Sequence, residues 1–164
     1  MDTQYLVLLL VVLAGGIGYY FYNREKPVTE ENASNKNAVS LQLQAYERMI
    51  LLVDRITLPN LISRNNQEIL SAKDMQRLLS RNIRDEFDYN ITQQIYISPE
   101  TWKAVRNLKE KNLLIIHQMA SVLPENASGY ELNRAILDFL LQDPASQLPE
   151  LVCEALSFEA KKLL

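Results

Sequence analysis

Residues 41–56, LQLQAYERMILLVDRI, decide the fold class. Apolar side chains recur in this stretch at intervals of three and four residues, which places them on one face of an α-helix. These side chains are Tyr46, Met49, Ile50, Val53 and Ile56. Because the polar face between them is narrow, we predict a largely buried helix that ends before Pro59.

Two further helices are predicted from their start signals. In SAKD, Ser71 and Asp74 have the spacing of a capping box. An apolar ladder with steps of four residues follows: Met75, Leu79, Ile83, Phe87, Ile91 and Ile95. Steps of four drift by about 40° each on an ideal helix, so we expect the ladder to change neighbours or to be interrupted. In SPETW, Ser98 as N-cap and Pro99 at the first helical position predict a helix over residues 99–123.

The rest of the C-terminal region also has helical periodicity. YELNRAILDFLLQ and LPELVCEALSFEAKKLL predict two more helices, and the short polar connections favour an antiparallel bundle. ITQQIYIS alternates in part, so a short strand is the competing local prediction there. We therefore predict an all-α fold with an N-terminal transmembrane helix, a flexible tether and then an antiparallel helical bundle of about four to five helices.

The transmembrane prediction depends on residues 5–22, YLVLLLVVLAGGIGYYFY, which carry no charge. As a helix they would span roughly 27 Å, close to the hydrocarbon thickness of a bilayer. No Lys or Arg precedes the run, which argues against a cleaved signal peptide. Arg24 and Lys26 follow it, so the positive-inside rule predicts a single-pass membrane protein with its C-terminal domain in the cytoplasm.

These observations divide the chain into three parts. Residues 1–22 are the predicted anchor, and residues 23–38 are rich in Asn, Glu and Lys, which is typical of a disordered tether. Residues 39–164 are the predicted soluble α-helical domain. Within the anchor, the small residues Ala14, Gly15 and Gly18 would allow two transmembrane helices to pack, so a homo-oligomer is one hypothesis.

The composition excludes several kinds of chemistry. Three of the four glycines lie in residues 15–18, which leaves no glycine-rich phosphate loop. His117 is the only histidine and Cys153 the only cysteine, so His-based zinc sites and an intrachain disulfide are excluded. The net charge is only −3, which gives no field for nucleic acid. We expect no catalytic residue, no metal, no cofactor and no nucleic-acid partner.

Helix-spaced charges leave two weaker hypotheses. Asp85, Glu86 and Asp88 form an acidic cluster that would suit a membrane-associated enzyme with a carboxylate-bound metal, the least favoured function. Arg77, Arg81 and Arg84 form a stripe that would contact anionic lipid. Pairing of Arg81 with Asp85 and of Arg84 with Asp88, four residues apart, favours a solvated face over both hypotheses.

The segments LQLQAYERMILLVDRI and RDEFDYNITQQIYISPETW carry a resemblance to a known family. The chain resembles an uncharacterised bacterial family, a domain of unknown function, of short proteins with one N-terminal span and a helical cytoplasmic region. The likeness extends over residues 41–164. It implies the anchored helical architecture and no activity, cofactor or catalytic residue.

The expected function is therefore binding. We predict an adaptor or accessory protein that docks a partner protein at the cytoplasmic membrane through an exposed apolar helix face. Tyr89, Tyr96 and Trp102 are the aromatic candidates for that interface, since large amphipathic rings are enriched in protein contacts.

Overall fold

The computed structural model describes residues 12–13, 15–22, 28–65 and 69–164. The chain divides into two compact units, residues 1–38 and residues 39–164. The secondary structure of the described residues is helical apart from one isolated β-bridge, so the all-α part of the prediction is confirmed.

The α-helices are α1 (Val28–Ile56), α2 (Leu58–Arg64), α3 (Ala72–Asn90), α4 (Pro99–Val122), α5 (Gly129–Gln142) and α6 (Leu148–Lys161). Two 3-10 helices cover Ile91–Ile95 and Pro144–Gln147, and residues 12–13 and 15–22 are also helical. The first predicted helix ends before Pro59, as expected, and the helix predicted over residues 99–123 is also confirmed. The short helix α2 was not predicted from the sequence.

The transmembrane part of the predicted fold class has to be corrected. No helix among the residues that the structure describes is long and apolar enough to cross a membrane. Residues 12–13 and 15–22 amount to about three helical turns, and three glycines and three tyrosines reduce their apolar character. Residues 5–11 and Ala14 of the predicted span lie outside the described residues.

Residues 28–38, which were assigned to the tether, are helical in the structure. No Gly or Pro lies between Val28 and Ile56, so nothing in the backbone interrupts the helix there. Polar residues such as Glu and Lys are compatible with a helix even where they bury no surface.

The core of residues 39–164 is built around the apolar ladder of α3. Met75, Leu79, Ile83 and Phe87 are buried against α4 and α5. The ladder is interrupted as expected, because α3 ends at Asn90 and the 3-10 helix begins. Its next steps are exposed and belong to that 3-10 helix, and residues 91–98, ITQQIYIS, contain no strand, so the competing prediction of a short strand there is wrong.

A small β-bridge aligns the starts of α3 and α5. Ala72 donates its N–H to the carbonyl of Ala127 (2.8 Å), and Gly129 donates to the carbonyl of Leu70 (2.7 Å). Ser71 and Ser128 cap the two helices. A Cβ at Gly129 would lie 3.1 Å from the carbonyl oxygen of Leu70, a tight approach that glycine avoids.

Side chains from two other helices and a turn bind the last carbonyls of α1. Asn112 of α4 donates its Nδ2 to the carbonyl of Ile56 (2.7 Å), and Arg64 of α2 donates to the carbonyl of Arg55. The hydroxyl of Thr57 donates to the carbonyl of Asp54 (2.8 Å). The carbonyls that an α-helix leaves without an internal partner are therefore satisfied, and the chain turns directly into α2.

We expect Asn112→Leu to lower the free energy of unfolding by about 1–3 kcal/mol. Asn112 is buried, and leucine of similar size would leave the Ile56 carbonyl without a donor in an apolar environment. Urea unfolding followed by circular dichroism measures the loss. Asn107→Leu, at an exposed position of the same helix, is the matched control and should change stability by less than about 0.5 kcal/mol. Equal effects of the two substitutions would contradict the capping role.

Candidate binding site

An apolar pocket of about 430 Å³ lies where α2, α4, α5 and α6 meet. Each helix contributes apolar side chains to its wall, and Lys111, Asn112 and Ser146 are its polar members. The apolar residues are Leu58, Pro59, Leu108, Ile115, Leu137, Leu140, Leu141, Leu148 and Pro149. We call this site the apolar pocket. Its volume falls in the range of ligand sites in proteins, and it is open to solvent on one side.

The rim of the apolar pocket exposes aliphatic surface. Leu141 is 87% exposed and Leu137 is 37% exposed, although both are large apolar residues. The charge at the rim is already paired, because Nζ of Lys111 lies 2.8 Å from Oδ2 of Asp143. The pocket therefore offers an apolar surface and no unneutralised charge.

A second pocket of about 370 Å³ continues along α5 from the apolar pocket. The two pockets share Leu137, and α2 contributes Ile62 and Ser63 to the second one. Its charged residues, Arg134 and Asp138, are paired at 3.6 Å. Together the two pockets form a groove along α5, which we call the α5 groove.

Asn133 lines the second pocket and is an unusual core residue. It is only 4% exposed, and neither its side-chain oxygen nor its nitrogen has a hydrogen-bond partner among the described residues. Buried side-chain amides in proteins are normally hydrogen-bonded, so Asn133 is an exception among the buried residues described.

The aromatic residues predicted for an interface lie in different environments. Tyr89 is 74% exposed on α3. Trp102 is half-buried against the core and stacks on Phe87 with ring centroids 5.0 Å apart. Tyr96 also packs against the core. The residues of the α5 groove were not predicted, because leucines with helical spacing look the same in sequence whether a neighbouring helix covers them or not.

The predicted charge pairs are formed in part. Arg77 pairs with Asp74, and Arg81 lies 3.4 Å from Asp85. Among the described residues, Arg84 and Asp88 do not form an ion pair, and Glu86 pairs instead with Arg55 of α1 at 2.7 Å. No group of three His, Cys, Asp or Glu side chains in the described ranges could hold a metal ion.

The small residues predicted for helix packing lie in the N-terminal unit. Gly15 and Gly18 are helical, and a Cβ at either position would meet nothing within 4 Å. Ala14 lies outside the described residues.

A polar cleft of about 620 Å³ lies between the end of α1, the end of α2 and the outer face of α3. Arg55, Arg64, Asn65, Asn82, Asp85, Glu86 and Tyr89 line it. The two asparagines are bonded to each other, since Asn82 donates to the side-chain oxygen of Asn65 (2.7 Å). We call this site the polar cleft; it is distinct in its residues from the α5 groove.

A carboxylate on α6 joins three elements of the fold. Ser98 and Thr101, at the start of α4, donate their hydroxyls to Oε1 of Glu159 at 2.6 and 2.7 Å. Tyr46 of α1 donates to Oε2 at 3.0 Å. Partial burial raises the pKa of the Glu159 carboxyl, but the hydroxyl donors outweigh it and the pKa falls below its usual value.

Tyr46 responds in the opposite direction. Burial, the hydrogen bond to Glu159 and the charge of that carboxylate raise the pKa of Tyr46 to about 12. We call these four residues the Glu159 cluster. Its hydroxyls all donate to one acceptor, so its role is to hold α1, α4 and α6 together. The sequence contains no sign of it beyond Ser98 as an N-cap.

The remaining chemically reactive side chains, His117 and Cys153, belong neither to the Glu159 cluster nor to the three pockets described above. His117 is exposed, and its Nδ1 lies 3.1 Å from the side-chain nitrogen of Gln76. Cys153 is half-buried. Its burial raises the pKa of its thiol, and the negative charge of Asp54 raises it further. A raised pKa disfavours the reactive thiolate.

The fold and the pockets define a small all-α protein with an apolar groove and a separate polar cleft. The chain belongs to the Family of unknown function (DUF7935), which it matches over residues 4–163. The resemblance to a family of unknown function is thus confirmed at that level. Comparison with curated proteins and with solved structures gave no match.

We expect the Glu159 cluster to make stability sensitive to acid. A carboxyl whose pKa is lower in the folded than in the unfolded state stabilises the fold above its unfolded pKa, near 4.5, and this contribution is lost as the pH falls through the folded value. Urea unfolding at the two pH values measures the stability that is lost between pH 7 and pH 4. This loss should be smaller for Glu159→Gln than for the unsubstituted protein. At pH 7 the variant should be less stable by about 1–2 kcal/mol.

The control is Glu154→Gln, at an exposed position of the same helix. It should retain the pH dependence of the unsubstituted protein. If Glu159→Gln lost as much stability between pH 7 and pH 4 as the unsubstituted protein does, the Glu159 carboxylate would not be the group that makes stability sensitive to acid.

Proposed function

We propose that this protein is a protein-binding adaptor that holds the apolar face of a partner helix in the α5 groove. The observation that carries the proposal is the apolar pocket with Leu141 on its rim, 87% exposed to water. Burying exposed apolar surface is the main favourable term in protein association. An apolar groove on a helical domain is a frequent site for an amphipathic helix.

The charges around the groove support an uncharged occupant. Lys111 and Arg134 are the basic residues of the two pockets, and each is paired with a carboxylate of this chain. An anionic ligand would meet the paired carboxylate beside each basic group, whereas an aliphatic side chain needs no charged partner. The open mouth of the apolar pocket also supports side chains projected from a larger partner, since a small ligand is usually enclosed over most of its surface.

The length of the groove supports a helical segment. From Tyr130 in the second pocket to Leu141 on the rim, α5 advances about 16 Å, which is three turns of helix. A partner helix of about three turns, with apolar side chains on one face, would reach both pockets. Leu137, shared by the pockets, would lie under its middle.

The other expected functions have less support. The stripe Arg77, Arg81 and Arg84, proposed as an anionic-lipid surface, has two of its three members in ion pairs. The bacterial origin and the location at the cytoplasmic membrane, with the C-terminal domain in the cytoplasm, stay predictions. The proposed helix docking does not depend on either.

We expect a photoreactive phenylalanine analogue at position 141 of the full-length protein to crosslink one partner protein in cells of the source organism. The same analogue at position 95, where the native Ile95 is 73% exposed and lines neither pocket, should not give this adduct. Adducts between two copies of the chain would instead favour self-association through the groove.

The identified partner then allows a quantitative test. Leu141→Ser should raise the Kd for the purified partner about tenfold or more, because a buried leucine contributes about 1.5–3 kcal/mol to an interface. The thermal stability of the adaptor should be unchanged, since Leu141 is exposed in the free protein. Ile95→Ser is the control and should leave the Kd unchanged. An unchanged Kd for Leu141→Ser would exclude the α5 groove as the docking site.

A further inference from the structure

Three arginine side chains lie in the polar cleft or in the smaller pocket that adjoins it. Arg55 and Arg64 line the cleft itself. Arg48 lines a smaller pocket of about 210 Å³ that shares Arg55, Glu86 and Tyr89 with the cleft. The three guanidinium groups come from α1 and α2 and face the outer side of α3. This surface shares no residue with the α5 groove.

Contacts with neighbouring groups hold each of these arginines. Arg55 donates its Nε to Oε1 of Glu86 at 2.7 Å, which orients its guanidinium plane. Arg64 donates one Nη to the carbonyl of Arg55, so its guanidinium lies beside the end of α1. The guanidinium carbon of Arg48 lies 5.3 Å from the centre of the Tyr89 ring.

The two carboxylates of the cleft, Asp85 and Glu86, neutralise its positive charge only in part, because neither forms an ion pair with Arg64. Glu86 is bonded to Arg55, and Asp85 lies 3.4 Å from Arg81, which does not line the cleft. Arg64 and Arg48 form no ion pair with an acid among the residues that the structure describes. A guanidinium has five N–H donors, so Arg55 retains donors after its bond to Glu86.

We propose that the polar cleft binds an oxyanion, either a phosphate monoester or a carboxylate, carried on a larger molecule. The planar guanidinium group forms two parallel hydrogen bonds to such anions, and two neighbouring guanidiniums can bind one anion together. Arg64 and Arg55 are the residues that contact the anion. Arg48, held over Tyr89, adds positive charge at the side of the cleft. The contacts that Arg55 and Arg64 make within the fold use one nitrogen of each guanidinium, which has five N–H donors in all.

Two simple molecules test the site on the full-length protein. Phenyl phosphate and phenylacetate present the two oxyanions on the same kind of uncharged ring, and benzyl alcohol is the neutral control. We expect saturable 1:1 binding of at least one anion by isothermal titration calorimetry, weakened by added salt, and no binding of benzyl alcohol. Tighter binding of phenyl phosphate would assign the ligand to phosphate esters, and tighter binding of phenylacetate would assign it to carboxylates.

Substitutions locate the binding. Arg64→Gln should weaken it at least tenfold. Arg64→Lys keeps the charge and a donor for the Arg55 carbonyl but lacks the planar fork, so it should fold normally and still weaken binding by at least threefold. Arg84→Gln removes the same charge from an exposed position of α3 that does not line the cleft, and it is the matched control, with an expected change below twofold. Absence of saturable binding by both anions, or equal losses for Arg64→Gln and Arg84→Gln, would overturn the proposal.

Discussion

The capping of the C-terminal end of α1 determines the geometry of both candidate sites. Three successive carbonyls, those of Asp54, Arg55 and Ile56, bind side chains of Thr57, Arg64 and Asn112. A helix end without such partners would have to remain in water or lose the free energy of several hydrogen bonds. Because the partners come from a turn, from α2 and from α4, the same contacts fix the direction of α2 against α4.

The short helix α2 consequently has two different faces. Its first residues, Leu58 and Pro59, form one wall of the apolar pocket beside Asn112. Its last residue, Arg64, lies in the polar cleft beside Arg55. One seven-residue helix thus separates an apolar surface from a polar one. The two proposed ligands differ in chemistry for this reason, since each contacts a different end of α2.

Local signals in the sequence were sufficient for most of the helices. Ser98 and Pro99 mark the start of α4, and the ladder from Met75 to Phe87 identifies the buried face of α3. The helix α2 was missed because it has only seven residues and begins beside Pro59, where a loop is the more common prediction. The predicted transmembrane helix is not found among the residues that the structure describes, and the prediction rested only on the length of the apolar run and its lack of charge.

The candidate sites depend on contacts that no local pattern encodes. Leu137 and Leu141 have the same spacing as covered leucines, and only the positions of α2 and α6 determine that they remain exposed. Glu159 has ordinary neighbours in the sequence, and its three donors come from distant segments. Pairing of Glu86 with Arg55 of α1 likewise involves residues on different helices, whereas the sequence analysis considered pairs within one helix.

The Glu159 cluster also has a consequence for the order of events during protein synthesis. Tyr46 and Glu159 are separated by 113 residues in the chain, and Ser98 and Glu159 by 61. The ribosome therefore releases α1 and α4 well before α6, and until then Tyr46 and the start of α4 lack their carboxylate partner. Leu148 and Pro149 of α6 also form part of the apolar pocket. A nascent chain consequently has no complete apolar pocket, and the binding surface forms together with the last long-range contacts of the fold.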